Sequence, residues 1–405
     1  MRCHALSTLL IGAFLTFLAA LQPAYGAGFA LYEGSARGNA LGGAMVGRAD
    51  DPSAIFYNPA GITQLKGEQV EAGATLIDPS TTVETLTPMG KMSTDTKDNY
   101  WLPPHAYGTY QINDRWWAGL GLYSRFGLGT EFPENWPGRY NSYNAQIRSF
   151  TLNPDIAVKL GKLSLAAGVS AEYFDLKLQR KIPTGTPVDY DMTLEGDAVG
   201  YGYNVAAHYA FSKWLALGAA YWSSVEEDVD GDATIGPGKT DASGEIKLPD
   251  MLFLGLMISP IDKLSLEIGA VRTGWSTYDQ LMITFDNPAL AGPSATTPKN
   301  WEDVWRYQAG LEYKVTEKLD LRLGYVYDEE PIPDDTVDYL VPANDRQLYS
   351  IGFGYHWTKW TLDVSYSYLS ISDRSVSARP SDGIPPSQFK DGDAHMVGVS
   401  VSTKL

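Results

Sequence analysis

From about residue 67 to the last residue, apolar and aromatic side chains fall on every second position in one segment after another. A chain with that period forms strands with two unlike faces. The clearest case lies near residue 350, where Tyr349, Ile351, Phe353, Tyr355 and Trp357 alternate with Ser350, Gly352, Gly354 and His356. The next segment repeats it, with Trp360, Leu362, Val364, Tyr366 and Tyr368 set against Thr361, Asp363, Ser365 and Ser367. The same alternation runs through residues 163–173, 199–211, 319–327 and 397–405. One face suits lipid and the other suits water.

Short polar connections fall at Asn113-Asp114-Arg115, Gly161-Lys162, Ser212-Lys213, Ile261-Asp262-Lys263, Thr316-Glu317-Lys318 and Thr358-Lys359. Between them lie long stretches rich in Gly, Pro, Asp and Ser, near residues 78–103, 126–145, 179–196, 228–244, 276–302, 328–345 and 371–393. Tight turns on one side and long loops on the other define about fourteen antiparallel strands, the asymmetry of a bacterial outer-membrane barrel. Both chain ends then lie on the periplasmic side. A soluble β-sandwich or propeller would need a polar outer face or a second sheet to cover the greasy one. The mean hydropathy of -0.19 looks soluble. A barrel wall explains it, because only alternate positions of each strand meet lipid. The 25 Tyr and 11 Trp fit interfacial girdles.

The first residues read differently. Arg2 and His4 precede an apolar run from Leu6 to Leu21, followed by Pro23, Ala24, Tyr25 and Gly26 with small residues at cleavage-site spacing, which predicts a signal peptide over residues 1–26. The run is short for a spanning helix and has no charged stop-transfer flank. The one cysteine, Cys3, lies inside it, so the exported chain has no thiol for a disulfide, a metal or a nucleophile. With 48 acidic against 31 basic residues, nucleic acid is excluded as a partner and no polybasic lipid-binding patch is present.

Residues 27–66 form a third kind of segment, rich in Gly and Ala and without sustained alternation. A barrel of fourteen strands, residues 67–405, encloses a lumen wider than its own side chains fill, and this segment is expected inside it as a hatch. Phe29, Leu31, Leu41, Met45, Ile55, Phe56 and Tyr57 make it too apolar for a disordered tail. Asn58 can cap a turn with its side chain, and Pro59 fixes φ and removes a donor, which makes a stiff corner.

Ala27-Gly28-Phe29-Ala30-Leu31, Gly38-Asn39-Ala40, Gly42-Gly43-Ala44, Ala49-Asp50-Asp51-Pro52-Ser53 and Phe56-Tyr57-Asn58-Pro59-Ala60-Gly61 resemble the hatch of the FadL/TodX (OMPP1) family of outer-membrane transporters. Residues 126–131, Trp136-Pro137-Gly138-Arg139-Tyr140, Leu152-Asn153-Pro154, Leu248-Pro249 and Gly274-Trp275-Ser276 extend the resemblance over nearly the whole exported chain. Leu405 departs from the final aromatic usual in such barrels. The resemblance implies passive uptake of hydrophobic molecules, long-chain fatty acids first, with aromatic or aliphatic hydrocarbons as the alternative. A general porin is the rival of another class. The implied route is capture among the outer loops, transfer to a pocket beside the hatch N-terminus, hatch rearrangement and lateral exit at a kinked third strand. Carried onto this chain, Phe29 touches the pocket, and Asn58, Pro59 and Ala60 form the hatch corner. The third strand, Trp116 to Leu128, holds Gly119, Gly121 and Gly127, where a bulge or opening can form or the glycines simply relieve crowding.

Strand parity turns Met251, Phe253 and Met257 inward, either as a pliable lining for alkyl chains or as packing for the hatch. It also places Arg306 and Arg322 inside. Each can bind a carboxylate headgroup or pair with hatch residues Asp50 and Asp51, and internal pairing is the expected role, since buried charges are usually matched. No catalytic site is expected. His105, His208, His356 and His395 stand in no nucleophile motif. Asp228, Asp230 and Asp232 look superficially like a calcium loop, but the glycine comes one place early and no bidentate Glu follows, so neither a metal nor a cofactor is expected. The expected partners are the hydrophobic cargo, outer-membrane lipid and lipopolysaccharide, and the barrel assembly machinery.

Overall fold

The computed structural model describes residues 28–405, so the signal-peptide expectation falls outside the described residues. The strands are β1 (Glu68–Thr87), β2 (Gly90–Asp95), β3 (Pro104–Gln111), β4 (Trp116–Tyr123), β5 (Gly127–Glu131), β6 (Asn144–Leu160), β7 (Leu163–Ile182) and β8 (Tyr190–Ser212). They continue with β9 (Leu215–Trp222), β10 (Val225–Ile235), β11 (Gly238–Leu248), β12 (Met251–Ile261), β13 (Leu264–Thr273), β14 (Gln280–Phe285) and β15 (Ser294–Pro298). The last are β16 (Val304–Lys314), β17 (Leu319–Asp328), β18 (Arg346–His356), β19 (Trp360–Ile371), β20 (Arg374–Val376) and β21 (Ser387–Lys404). Several are two halves of one wall strand, such as β4 with β5 and β11 with β12. The wall therefore has fourteen antiparallel strands, and it closes where β21 pairs with β1 from Gln69 opposite Lys404 to Thr85 opposite Ser387. Closure leaves no open edge, which a membrane requires because an unpaired backbone group in lipid costs several kcal/mol. Among the described residues no helix is long and apolar enough to cross a membrane, and the strands do the crossing.

Alternation sorts the faces as the sequence indicates. Tyr349, Ile351 and Phe353 point outward, half exposed, while Ser350, Ser365 and Ser367 are buried in the lumen, where the Ser350 and Ser367 hydroxyls bond at 2.8 Å. The six short turns lie where expected. Several outer stretches differ: residues 228–244 are mostly strand, with β10 and β11 paired out to Ile235 opposite Gly238; β7 and β8 pair out to Ile182 opposite Tyr190; β1 and β2 pair out to Thr87 opposite Gly90; and β14 and β15 pair out to Thr284 opposite Ser294. Gly and Asp suggested loops there, but Val229, Ala233, Ala242 and Ile246 keep the alternation and bury one face.

Residues 28–67 fill the lumen. Helix α1 (Ala36–Ala40) starts at Ser35, whose hydroxyl accepts the Gly38 N–H at 3.0 Å. Helix α2 (Ala54–Tyr57) runs into a 3-10 turn, Pro59–Gln64. Asn58 joins the two: its Oδ1 accepts the Ala60 N–H at 3.2 Å, and its Nδ2 donates to Val46 O at 2.8 Å and to Ala207 O of the wall at 3.1 Å. Gly218 permits this approach, because a Cβ there would lie 2.0 Å from Val46 O.

Carboxylates of the wall hold the segment. Glu267 of β13 accepts the backbone N–H groups of Val46, Gly47 and Arg48 at 2.6, 2.9 and 2.8 Å. Glu312 of β16 meets three guanidiniums, Arg37 and Arg48 from the hatch and Arg322 from β17, at 3.0, 2.9 and 2.7 Å.

Candidate cargo site

Above the hatch the lumen opens into a cavity of about 290 Å³. Its floor is Gly28 to Glu33. Its sides are apolar, including Ile77, Trp101, Leu128, Ile147, Leu348 and Met396, and Val341, Pro342 and Ala343 of the connection before β18 cover it. The floor is fixed from two directions. Ala30 bridges Phe126 as a short antiparallel pair, with Leu31 N–H donating to Arg125 O at 2.7 Å and Gly127 N–H donating to Phe29 O at 2.9 Å. The Phe29 ring, buried, then sits among Trp275, Trp301, Tyr278 and Phe126 at centroid distances of 4.6, 5.6, 6.1 and 6.1 Å. Gly28 has a φ of +56°, and a Cβ on it would meet Trp301 at 2.7 Å, so glycine is required where the chain enters this cage.

One end of the cavity carries two guanidiniums. Arg306, Asp328 and Arg346 face one another directly across β16, β17 and β18. Both guanidiniums bond the same Asp328 oxygen, at 3.1 and 3.0 Å, and Arg306 also lies 4.3 Å over the Tyr32 ring. The Nε donors of Arg306 and Arg346 are buried and have no partner among the described residues. Glu33 lies at the same end and accepts the Tyr32 N–H at 2.9 Å.

The cavity also reaches the wall. The third strand breaks between Tyr123 of β4 and Gly127 of β5, and the lining includes outward-facing Arg148 and Phe150 of β6 beside that break. Gly127 lies at the break, where a Cβ would touch Leu31 at 2.8 Å. Gly119 and Gly121 lie below it in regular pairing, and their missing side chains make room for Ile55 at 3.1 and 2.8 Å.

Other sequence candidates are dispersed. Met251 and Phe253 are buried but do not line the cavity; Phe253 packs on Phe56 of the hatch and on Trp222, at 6.4 and 5.2 Å. Met257 lies where Gly47 of the hatch approaches its backbone. Arg322 is held by Glu312 and Asp363, away from the cavity. The expected pairing of Arg306 and Arg322 with Asp50 and Asp51 does not occur. Those carboxylates bond Arg37 at 2.7 and 2.9 Å, because the hatch folds its own cation back on them. Asp232 pairs with Lys239, and the carboxylates of Glu226, Asp228 and Glu245 lie exposed within 4.8 Å of one another on the β10–β11 hairpin. The histidines have structural partners: His105 with Ser400, His208 with Gly47 O, His356 with Asp320 and His395 with Tyr366. Trp101, Trp301, Tyr278, Asp328 and Arg346 carried no signal of site membership in the sequence. Trp101, Tyr278 and Trp301 lie in breaks between two halves of a wall strand, and Asp328 and Arg346 end strands beside an outer connection, where no period marks a face.

Residues 16–405 match the model of a family described as outer membrane protein transport protein (OMPP1/FadL/TodX). A long-chain fatty acid transport protein of Escherichia coli O6:H1 is 27% identical over 399 residues, covering 85% of this chain and 87% of that one. A 47 kDa outer membrane protein of Pasteurella multocida is 26% identical, with 94% of each chain covered. Among solved structures, a Pseudomonas aeruginosa FadL homologue superposes with a TM-score of 0.82 at 20% identity, over 93% of this chain and 100% of that one. The toluene transporter TodX of P. putida gives 0.72 at 19% identity, over 91% and 97%.

Proposed function

Because the chain belongs to the OMPP1/FadL/TodX family and is an outer-membrane transport protein for hydrophobic compounds, we propose that its cargo is long-chain fatty acids, taken up passively. The observation that carries this reading is the cavity itself, an apolar chamber lined at one end by the guanidiniums of Arg306 and Arg346, which share one oxygen of Asp328. An alkyl chain gains about 0.8 kcal/mol per buried CH₂ from such walls, and a carboxylate gains charge-assisted hydrogen bonds from the guanidiniums. Arg306 and Arg346 are thus headgroup residues, and Arg322 is a structural one.

The same geometry supports the route that the family resemblance implies. Cargo arrives through the outer connections and rests on the Phe29-bearing floor. It leaves sideways through the break in the third strand, beside Gly127, once the short pairing of Leu31 with Arg125 lets go. The hatch corner at Asn58, Pro59 and Ala60 stays bonded to the wall, so movement is confined to residues near 28–34. Met251, Phe253 and Met257 act in this account as packing for the hatch.

A second reading, monoaromatic hydrocarbons, draws support from the ring cage of Trp275, Trp301 and Tyr278 around Phe29. Uptake by deletion and complemented cells across fatty acids, alkanes and monoaromatics separates the two. Faster entry of fatty acids alone is the expected result, and no difference for any compound removes the transport claim.

A further inference from the structure

The break in the third strand leaves a gap in the wall that one side chain crosses. Below it, β3 and β4 pair regularly up to Ala106 opposite Leu122, and above it Lys97 N–H donates to Glu131 O at 2.7 Å. Among the described residues no backbone hydrogen bond joins residues 98–105 to residues 123–130. Pro103 and Pro104 have no N–H to offer there. The hatch fills the inner part, with Leu31 against Gly127.

Trp101 fills the rest. Its backbone is tied to the first strand, with Trp101 N–H donating to Ile77 O at 3.0 Å and Ile77 N–H donating to Trp101 O at 2.8 Å. Its indole reaches the other side and lies against Gly129 of β5, so close that a Cβ there would fall 1.9 Å from the ring atoms. The ring lines the cavity, and its Nε1–H is buried without a partner. A side chain anchored on one bank by its backbone and on the other only by van der Waals contact can swing without breaking a hydrogen bond.

We propose that Trp101 is the movable closure of this gap and sets the girth of cargo that leaves through it, an inference that rests on the lateral route above. Gly129 is its seat: any side chain there pushes the indole off. The unpaired Nε1–H offers a hydrogen bond to a polar group passing the gap.

The test compares Trp101→Ala, Gly129→Ala and the double variant, each checked for heat-modifiable barrel migration. Gly129 has an ordinary φ, so alanine is tolerated by the backbone. Uptake is measured for a straight-chain acid and for the same acid carrying a terminal bulky fluorophore. The wild type is expected to favour the slim acid by about tenfold, and each single variant to lose most of that preference. The double variant is expected to match Trp101→Ala, since the displaced ring is already gone. An unchanged preference in Trp101→Ala, or additive effects in the double variant, overturns the proposal. A second readout needs no transport. A cysteine placed by Ser124→Cys in the cavity lining, the one thiol of the exported chain, is labelled in proteoliposomes by a membrane-dissolved N-alkyl maleimide. Faster labelling with Trp101→Ala supports the closure, and an unchanged rate overturns it, even if wild-type cells take up neither acid and the transport reading falls.

Discussion

The rings of Phe29 and Trp275 meet edge to face with centroids 4.6 Å apart, which fastens the first described turn of the hatch to the break between β13 and β14, two halves of one wall strand. Replacing Phe29 with alanine removes that fastening and leaves the wall intact. Core Phe→Ala changes cost about 3–5 kcal/mol, here spent locally on the floor of the cavity. Hydrogen exchange near residues 28–34 is expected to accelerate strongly in Phe29→Ala, while exchange in the wall strands stays slow.

Asn58 is the fixed end of the same segment. Asn58→Ala removes bonds to Val46, Ala207 and Ala60 and strands buried backbone groups, at about 1–3 kcal/mol for each left unpaired. The hatch should loosen as a body. Purified Asn58→Ala in planar bilayers is expected to show steady current where the wild type shows little.

Glu312 is the carboxylate that Arg37, Arg48 and Arg322 share. Glu312→Gln leaves these buried cations short of charge, and breaking a buried pair from one side costs about 3–5 kcal/mol. Thermal unfolding in detergent should fall measurably. Glu317→Gln, in an exposed turn, serves as the control and should leave the transition where it is.

The cover of the cavity should respond to pH. Burial pushes the Glu330 and Asp345 carboxyls up to about 8 each, at the two ends of the connection that carries Val341–Ala343. Their folded values lie above those of the unfolded chain, so the stability they lend is complete at low pH and is lost as pH rises through about 8. Proteolysis of residues 329–345 is expected to be slow at pH 6 and fast at pH 9. The Glu330→Gln, Asp345→Asn variant should remove that dependence.

Much of this architecture was legible in the residues. Alternation in Tyr349–Trp357 marked a two-faced wall, and the turns at Gly161-Lys162 and Thr358-Lys359 fell where strands end. The loop reading of residues 228–244 failed because turn-forming composition was weighed above the alternation of Val229, Ala233 and Ala242. The site was harder. Parity turned Arg306 inward, but its partner depends on register: Asp328 stands directly opposite on β17 and Arg346 opposite that on β18. Trp101 and Trp301 reach the cavity or its floor from irregular connections, where only three-dimensional closure decides what faces what.

The central claim is that the cavity holds an alkyl chain with its carboxylate at Arg346 and Arg306. Arg346→Met removes one guanidinium and leaves Asp328 paired with Arg306. The direct measurement is equilibrium binding of a long-chain fatty acid and of the alkane of equal length to purified wild type and Arg346→Met. Affinity for the acid is predicted to fall roughly tenfold or more, as loss of a charged hydrogen bond implies, with the alkane unaffected. Equal binding of acid and alkane by the wild type, both unchanged in Arg346→Met, would contradict the account.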